Sequence, residues 1–508
     1  MPDRPPFRRV LIANRGEIAV RVARGLREMG IESVAVHSDC DRHSAHVLEA
    51  DAAVALGGDS AADSYLRADK ILEAARTSGA EAIHPGYGFL SENAAFARAV
   101  REAGLVFIGP SPEAMAALGD KRSAREVAAS CGVPVVPGCE KDDGDEALIA
   151  KARDIGFPVM LKASAGGGGR GMRLVRREED LVEALAAGRR EAEAAFGDGS
   201  MIVEKALVPA RHVEVQIAGD RHGNAFSLNE RECSIQRRHQ KVIEEAPSPV
   251  VDEELRARMG DAAERLARQV GYDNAGTVEF LVDERRRFYF LEVNARLQVE
   301  HPVTELVTGM DLVRLQILAA SGADLSEILK GADLRPRGHA LEARICAESP
   351  EEGFLPAAGV LRVVRGPEGP GIRFDSGIRE GCEVPVHYDS LLAKLIVHGP
   401  DRDACCDRMA RALRETVILG IPTNLDFLLR VVQDQDFRAG QLSTGFLAAK
   451  PDLAAGPGDR DLDPWLAAAA LCQVLAPPRR SGGNGADPRR VAPVWTMMGG
   501  FRVWEDGE

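Results

Sequence analysis

Residues 289–300 set chemically able side chains at every second position. Tyr289, Leu291, Val293, Ala295, Leu297 and Val299 are nearly all apolar, whereas Glu292, Asn294, Arg296, Gln298 and Glu300 are all polar. Successive side chains of an extended chain point to opposite faces. A strand here would pack one face on a core and present carboxylate, amide and guanidinium groups on the other. The same alternation also fits a half-buried strand with a merely solvated face. Phe288 and Phe290 share the even face just before Glu292, so that face would start in a hydrophobic enclosure. Upstream, Val278, Phe280 and Val282 are apolar and Glu279 points the other way. The charged residues 283–287 would turn the chain into a hairpin that brings Glu279 near Glu292. Two clustered carboxylates with an amide oxygen suit Mg²⁺, a hard cation that takes oxygen ligands and often bridges phosphates. Without a cation such clustering is unfavourable.

A second group faces phosphate. Lys162 follows the apolar run Val159, Met160 and Leu161, and leads into Gly166, Gly167, Gly168, Gly169, Arg170 and Gly171. Glycines let backbone N–H groups approach phosphate oxygens closely, and Lys162 adds a point charge. The pattern is not a Walker A loop, since G-x-x-x-x-G-K-[ST] is absent. By itself the glycine run also fits a flexible surface hairpin; beside Lys121 and the carboxylate pair, the phosphate reading gains weight. A third group is the polar run of residues 230–241. Such runs are usually solvated faces, but Gln236, His239 and Lys241 have the chemistry to hold a small anion or a sugar hydroxyl. Arg344 stands alone in a strand-like run, where an arginine is most often a salt-bridge partner.

The elements that must position these groups read as α/β. A short apolar strand at residues 10–13 is followed by a turn at Asn14, Arg15 and Gly16. A helical pattern then runs from Glu17 to about Met29 and stops at Gly30. Strands near 33–36, 82–83 and 105–108 alternate with helices near 65–75 and 92–103, the pattern of a parallel sheet with helices on its faces. The first turn lacks G-x-G-x-x-G, so it is no dinucleotide site. Residues 132–207 read as a separate small domain holding the glycine loop, and residues 211–450 as a larger alternating unit. The last 58 residues hold all three tryptophans and a Gly/Asn/Ser-rich stretch at 481–485, and read as a linker with a partial appended element.

Composition bounds the function. The 508 residues are 45% hydrophobic and 28% charged, ample for several globular domains. A net charge of −14 argues against a nucleic-acid binder held by phosphate neutralisation. The nine cysteines form no C-x-x-C pair and are odd in number, which fits a reduced, cytoplasmic setting better than a disulfide or zinc framework. No secretory signal and no membrane-length apolar run is present, so a soluble chain without membrane contact is expected.

With these residues in view, the chain resembles biotin carboxylase, a member of the ATP-grasp superfamily. The resemblance covers residues 7–446. It rests on residues 12–19 (IANRGEIA), residues 84–93 (HPGYGFLSEN), the glycine loop, residues 233–247, and the highly specific residues 294–305 (NARLQVEHPVTE). It implies a Rossmann-like parallel-sheet N-terminal domain (1–120) and an ATP-grasp domain (121–335) with a small lid (132–207). An α+β C-terminal domain (336–450) and the appended 451–508 follow. It implies an ATP-dependent ligase that carboxylates the ureido nitrogen of carrier-bound biotin with bicarbonate, using Mg²⁺ or Mn²⁺. ATP would meet Lys121, Lys162, Gly168, Gly169, Glu204, Lys205, Leu207, His212, Gln236, His239, Glu279 and Glu292. The metal would sit on Glu279, Glu292 and Asn294. Bicarbonate and biotin would meet Lys241, Arg296, Gln298, Val299 (through its backbone), Glu300 and Arg344. Lys241, Arg296, Glu300 and Arg344 would be catalytic, with Glu300 the base.

Two positions depart from the family pattern. Ala165 stands where a further glycine is common, and Ala295 where threonine is common; neither carries a chemical role. The lysine between two methionines that bears biotin is absent from these residues, so the implied partners are a biotin carboxyl carrier protein, acting in trans unless the natural protein extends past Glu508, and carboxyltransferase subunits, with a homodimer expected. An acyl-phosphate ligase of the same superfamily and an inactive scaffold subunit are the competing readings. The intact polar set argues against the second.

Overall fold

The computed structural model describes residues 5–139, 142–164 and 172–455. Gly168, Gly169, the side chain of Lys121, and residues 456–508 of the expected appended element lie outside the described residues. The N-terminal sheet is formed by Arg9–Ile12 (β1), Glu32–His37 (β2), Ala52–Ala55 (β3), Ala82–His84 (β4) and Val106–Phe107 (β5). The strands are all parallel, in the order β3-β2-β1-β4-β5. Val10, Leu11 and Ile12 of β1 and Ala82 and Ile83 of β4 are consecutive buried apolar residues, because both faces of a parallel sheet are covered. β3 escaped the sequence reading: it is a short, largely exposed edge strand of Ala-Ala-Val-Ala, with little pattern to read. Helix Ala94–Glu102 starts later than its apolar pattern suggests, because the Asn93 side chain caps it by accepting from the Phe96 N–H at 2.9 Å.

At the C-terminal end of this sheet, the loops after β1 and β4 are stitched together. Asn14 Nδ2 donates to the carbonyls of Pro85 and Tyr87, each at 2.7 Å. Helix Gly16–Glu28 then leaves this junction with Glu17 buried in its first turn. Gly16 has φ +66, a conformation that suits glycine.

The small domain has its own core. Val159–Ala163 (β6), Met172–Val175 (β7) and Met201–Lys205 (β8) form an antiparallel sheet in the order β7-β6-β8. Helices Asp145–Ile155 and Leu181–Phe196 cover it, burying Leu148, Leu161, Leu185 and Val203 together. The glycine loop is the connection between β6 and β7.

The third sheet carries most of the chemistry. Eight antiparallel strands run in the order β13-β12-β9-β10-β11-β14, then Leu391–Gly399, then Ile372–Ser376. The labelled strands are Arg211–Gly219 (β9), Ala225–Arg237 (β10), Gln240–Ala246 (β11), Asn274–Val282 (β12), Phe288–Asn294 (β13) and His339–Cys346 (β14). This sheet runs unbroken across residue 335, because β11 pairs with β14. No described helix is long and apolar enough to cross a membrane.

Candidate active site

Two expectations about residues 289–300 need correction. The strand ends at Asn294, and residues 295–300 form a loop that enters helix His301–Thr308, with Pro302 in its first turn. Proline fits there because its missing N–H would be unpaired anyway. Nor do Phe288 and Phe290 share a face with Glu292. The β12–β13 pairing shifts between Glu279 and Phe280, so Phe280 faces Phe290 while Glu279 faces Glu292. This bulge at Leu291 sends the phenylalanines into the core and turns Glu292 to the face of Glu279. The alternation of apolar Val293, Ala295 and Leu297 survives as burial, although it no longer reflects a strand.

Lys241, on β11, is the hub. Its Nζ donates to Glu279 Oε1 at 2.8 Å and Glu300 Oε1 at 2.6 Å, and also to Glu214. Arg344, on β14, donates from Nε to Glu244 Oε1 at 2.6 Å and from Nη2 to Glu300 Oε2 at 2.8 Å. Each oxygen of Glu300 therefore meets a cation, and the residue is fully buried. Burial alone would raise its pKa, but Lys241, Arg344 and Arg231 hold it well below the usual carboxylate range. Glu244 shares the same arginine and behaves oppositely. Burial pushes it up to about 7; Arg344 opposes this and Glu300 adds to it. The difference is one of company, since Glu300 has several cations and Glu244 lies opposite the buried Glu342.

Glu279 gathers the next group. Its Oε1 accepts from Asn294 Nδ2 at 2.9 Å and Gln298 Nε2 at 3.3 Å, besides Lys241. His212 Nε2 lies 3.0 Å from Glu279 Oε2, but that nitrogen makes no aligned hydrogen bond, so the contact is an ion contact. Burial opposes a charged His212, yet Glu279 prevails and raises its pKa. Arg296 donates to Gln298 Oε1 at 2.8 Å, Asn294 Oδ1 at 3.1 Å and Glu92 Oε2 at 2.9 Å. The buried Ala295 donates its N–H to the other Glu92 oxygen at 2.9 Å. The loop is thus tied to the N-terminal domain at both residues.

Lys162, Glu204 and Arg125 form a separate group. Lys162 Nζ pairs with Glu204 Oε2, and Arg125 Nη1 donates to Glu204 Oε1 at 3.0 Å. Lys205 donates to the carbonyls of Gly156 and Phe157 at 2.9 and 3.0 Å, and Leu207 follows in the partly buried loop. Gln236 is buried opposite Lys241 in register. His239 sits with Arg238 at the exposed β10–β11 turn, both at positive φ.

A divalent cation fits this donor set. Glu279 and Glu292 are direct register partners offering hard oxygens, and Glu279 is held ionised: burial opposes this, but Lys241 and His212 outweigh it. Asn294 offers an amide oxygen, which here accepts from Arg296 while its nitrogen donates to Glu279. His212, Glu214 and Glu279 also bring ligand-type atoms within 4.8 Å of one another. Lys241 already contributes the cation between Glu214 and Glu279. Sequence reasoning missed Glu214, Arg231, Glu244 and Glu92. Arg231 is fully buried and donates to Glu214 at 2.6 Å, Gln216 at 2.8 Å and Thr304 at 2.9 Å. The signal was present in β9, where His212, Glu214 and Gln216 alternate with Val213, Val215 and Ile217 as clearly as the polar face after Glu292 does.

Three family descriptions match. They are "Biotin carboxylase, N-terminal domain" over residues 6–115, "Carbamoyl-phosphate synthase L chain, ATP binding domain" over 120–328, and "Biotin carboxylase C-terminal domain" over 342–449. The chain is 50% identical over 442 residues to a biotin carboxylase of Nostoc sp., covering 87% of this chain and 98% of that protein. It is 50% identical over 448 residues to the mitochondrial propionyl-CoA carboxylase alpha chain of Caenorhabditis elegans, covering 88% of this chain. It spans only 62% of that longer relative. A crystal structure of the biotin carboxylase domain dimer of Hydrogenobacter thermophilus 2-oxoglutarate carboxylase, with MgADP, ADP and bicarbonate, superposes with TM-score 0.83. It is 44% identical and covers 89% of this chain and 99% of that one.

Proposed function

The chain belongs to the biotin carboxylase family, and from that premise we propose how its side chains divide the work. It is an ATP-dependent ligase that carboxylates biotin with bicarbonate. The observation that supports the assignment of roles is the convergence of Lys241 and Arg344 on opposite oxygens of Glu300.

Glu300 removes the proton of bicarbonate. A carboxylate held below its usual range is ionised throughout the physiological range, but it is a weak base. Bicarbonate entering beside Lys241, Arg296 and Gln298 competes for those cations and donors, which restores basicity to Glu300 as the substrate arrives. The resulting dianion attacks the γ-phosphoryl group of ATP, giving carboxyphosphate and ADP. Glu279, Glu292 and Asn294 would hold Mg²⁺ or Mn²⁺, which when bound neutralises charge on the transferring phosphoryl group. Lys162 and Lys121 bind phosphate oxygens, and Gly168 and Gly169 offer them backbone N–H groups. Glu204, Lys205 and Leu207 border the adenine, while His212, Gln236 and His239 contact the nucleotide. Carboxyphosphate yields CO₂ and phosphate; the phosphate deprotonates the ureido nitrogen, and Arg344 stabilises the enolate-like biotin that captures CO₂. A cleft lined by Arg237, Cys346, Phe354 and Phe427 opens on Lys241 and Arg344, and supports biotin entry from that side.

The biotin is carrier-bound, a carboxyltransferase uses the product, and the working form is a homodimer in the cytoplasm. Relatives include propionyl-CoA and methylcrotonoyl-CoA carboxylase alpha chains, which suits an acyl-CoA carboxylase complex. The deciding experiment is Glu300→Gln assayed for bicarbonate-dependent ADP release. Loss of the base is expected to lower the rate by ~10²–10⁴. Near-normal turnover would remove Glu300 from that role.

A further inference from the structure

Lys394 is a fully buried cation that the roles above leave unused. It lies on strand Leu391–Gly399, in register with Arg344. Its Nζ donates to the carbonyl of Val299 at 2.6 Å and lies 3.3 Å from Glu17 Oε1, on the first turn of helix Gly16–Glu28. Asp375, its register partner on strand Ile372–Ser376, and Glu342 on β14 complete its surroundings. A buried ammonium costs stability unless it is paired and hydrogen-bonded. Glu17 and its neighbours supply the charge, while one N–H of Lys394 is committed to a backbone oxygen of the loop that carries Glu300.

The preceding carbonyl is held in the same way. The Gln298 oxygen accepts from the His301 N–H at 3.3 Å and lies 2.7 Å from His301 Nδ1. Burial and then Lys394 hold the His301 pKa well below its ordinary value. The ring is therefore neutral, and the short contact is made by an Nδ1–H donor. Both peptides are trans, and a trans peptide carries its N–H antiparallel to its carbonyl. Pinning the Gln298 and Val299 carbonyls on His301 and Lys394 turns the N–H groups of Val299 and Glu300 away from the Lys394 cluster.

We propose that Lys394 is a positioning residue for bicarbonate: through the Val299 carbonyl it fixes the orientation of the Val299–Glu300 peptide, so that the donor side of the loop and the Glu300 carboxylate meet the anion together. This rests on the bicarbonate assignment above. Lys394 is fully buried and donates to the Val299 carbonyl, so its removal would act through the loop that carries Glu300, where the anion is assigned.

The test compares Lys394→Met with Lys394→Met/Glu17→Gln, which removes the partner charge as well, using bicarbonate-dependent ADP release by the full chain. In whichever variant keeps the wild-type melting transition, KM for bicarbonate is expected to rise roughly 10- to 100-fold. KM for ATP should stay within about twofold, and any ATP hydrolysis measured without bicarbonate should be unchanged. Parallel shifts in both KM values, or no shift in either, overturn the proposal. So does failure of both variants to fold, which would make Lys394 purely a stability element. If wild-type ADP release does not depend on bicarbonate at all, the bicarbonate assignment fails instead.

Discussion

Lys241 and Lys162 both project from strands into the candidate site, and both are ion-paired, but their surroundings differ in kind. Lys241 faces three carboxylates, Glu214, Glu279 and Glu300, delivered by β9, β12 and the loop after β13. Among the described residues Lys162, on the small domain, faces Glu204 and shares it with Arg125. The Lys241 side chain is 11% exposed and that of Lys162 is 23% exposed. Around Lys241 the charges come from an antiparallel sheet and the loop that leaves it and neutralise one another, so chemistry and stability rest on the same groups. Around Lys162 the charge stands at the end of a short sheet beside a glycine-rich connection, where affinity can be supplied without the fold depending on it.

The sharpest way to break this comparison is Lys241→Met. The substitution leaves three buried carboxylates without their shared cation. Removing one partner of a buried ion pair typically costs about 3–5 kcal/mol, because the remaining charge stays buried and unpaired. Urea unfolding should show a loss of that size, together with loss of bicarbonate-dependent ATP cleavage. A variant with wild-type stability would show that Lys241 serves chemistry alone and that the two regions do not differ as argued.

How much of this was legible follows the same division. The glycine run, Lys162 and the polar alternation after Glu292 stood out because each is local: a loop or a strand face announces itself within about ten residues. The five-stranded sheet was readable for the same reason, except for its short edge strand β3. What was not readable is what depends on register between distant strands. Glu214 and Arg231 meet only because β9 and β10 pair with a shift between Ser227 and Glu230. The facing of Glu279 and Glu292 depends on the bulge at Leu291, which no alternation pattern reveals. Lys394 looks like any lysine in an apolar strand until β14 places it beside Arg344.

A smaller effect is expected at Glu244, on the sheet side of the comparison. Its pKa is pushed up to about 7 by burial, against the pull of Arg344 and with the help of Glu300. Lys241 also lowers it, and Glu342 faces it across β11 and β14. A carboxyl group raised in the folded state binds its proton more tightly there than in the unfolded chain. Its contribution is therefore complete below the ordinary value of 4.5 and is lost as pH rises through about 7. The loss is about 3 kcal/mol at most. Glu244→Gln keeps the shape and removes the titration, so the fall in melting temperature between roughly pH 5 and pH 8 should flatten. An unchanged slope would assign that fall to groups other than Glu244.

The smallest stability effect belongs to Lys162. Lys162→Met leaves Glu204 with Arg125 as its remaining cation at 3.0 Å, so no carboxylate is stranded. The change in unfolding free energy should stay within about 0.5 kcal/mol, the range of surface substitutions away from special features. Nucleotide affinity is another matter, because a charge-assisted contact to phosphate is worth roughly 1.5–3 kcal/mol. KM for ATP should therefore rise by about 10- to 100-fold while the melting transition stays put. The two measurements together read the architecture: at Lys162 affinity falls without stability, and at Lys241 both fall at once. If Lys162→Met destabilised the chain as strongly as Lys241→Met, the small domain would have to be tied into the fold through Glu204. The distinction between a structural ion cluster and a detachable phosphate contact would then fail.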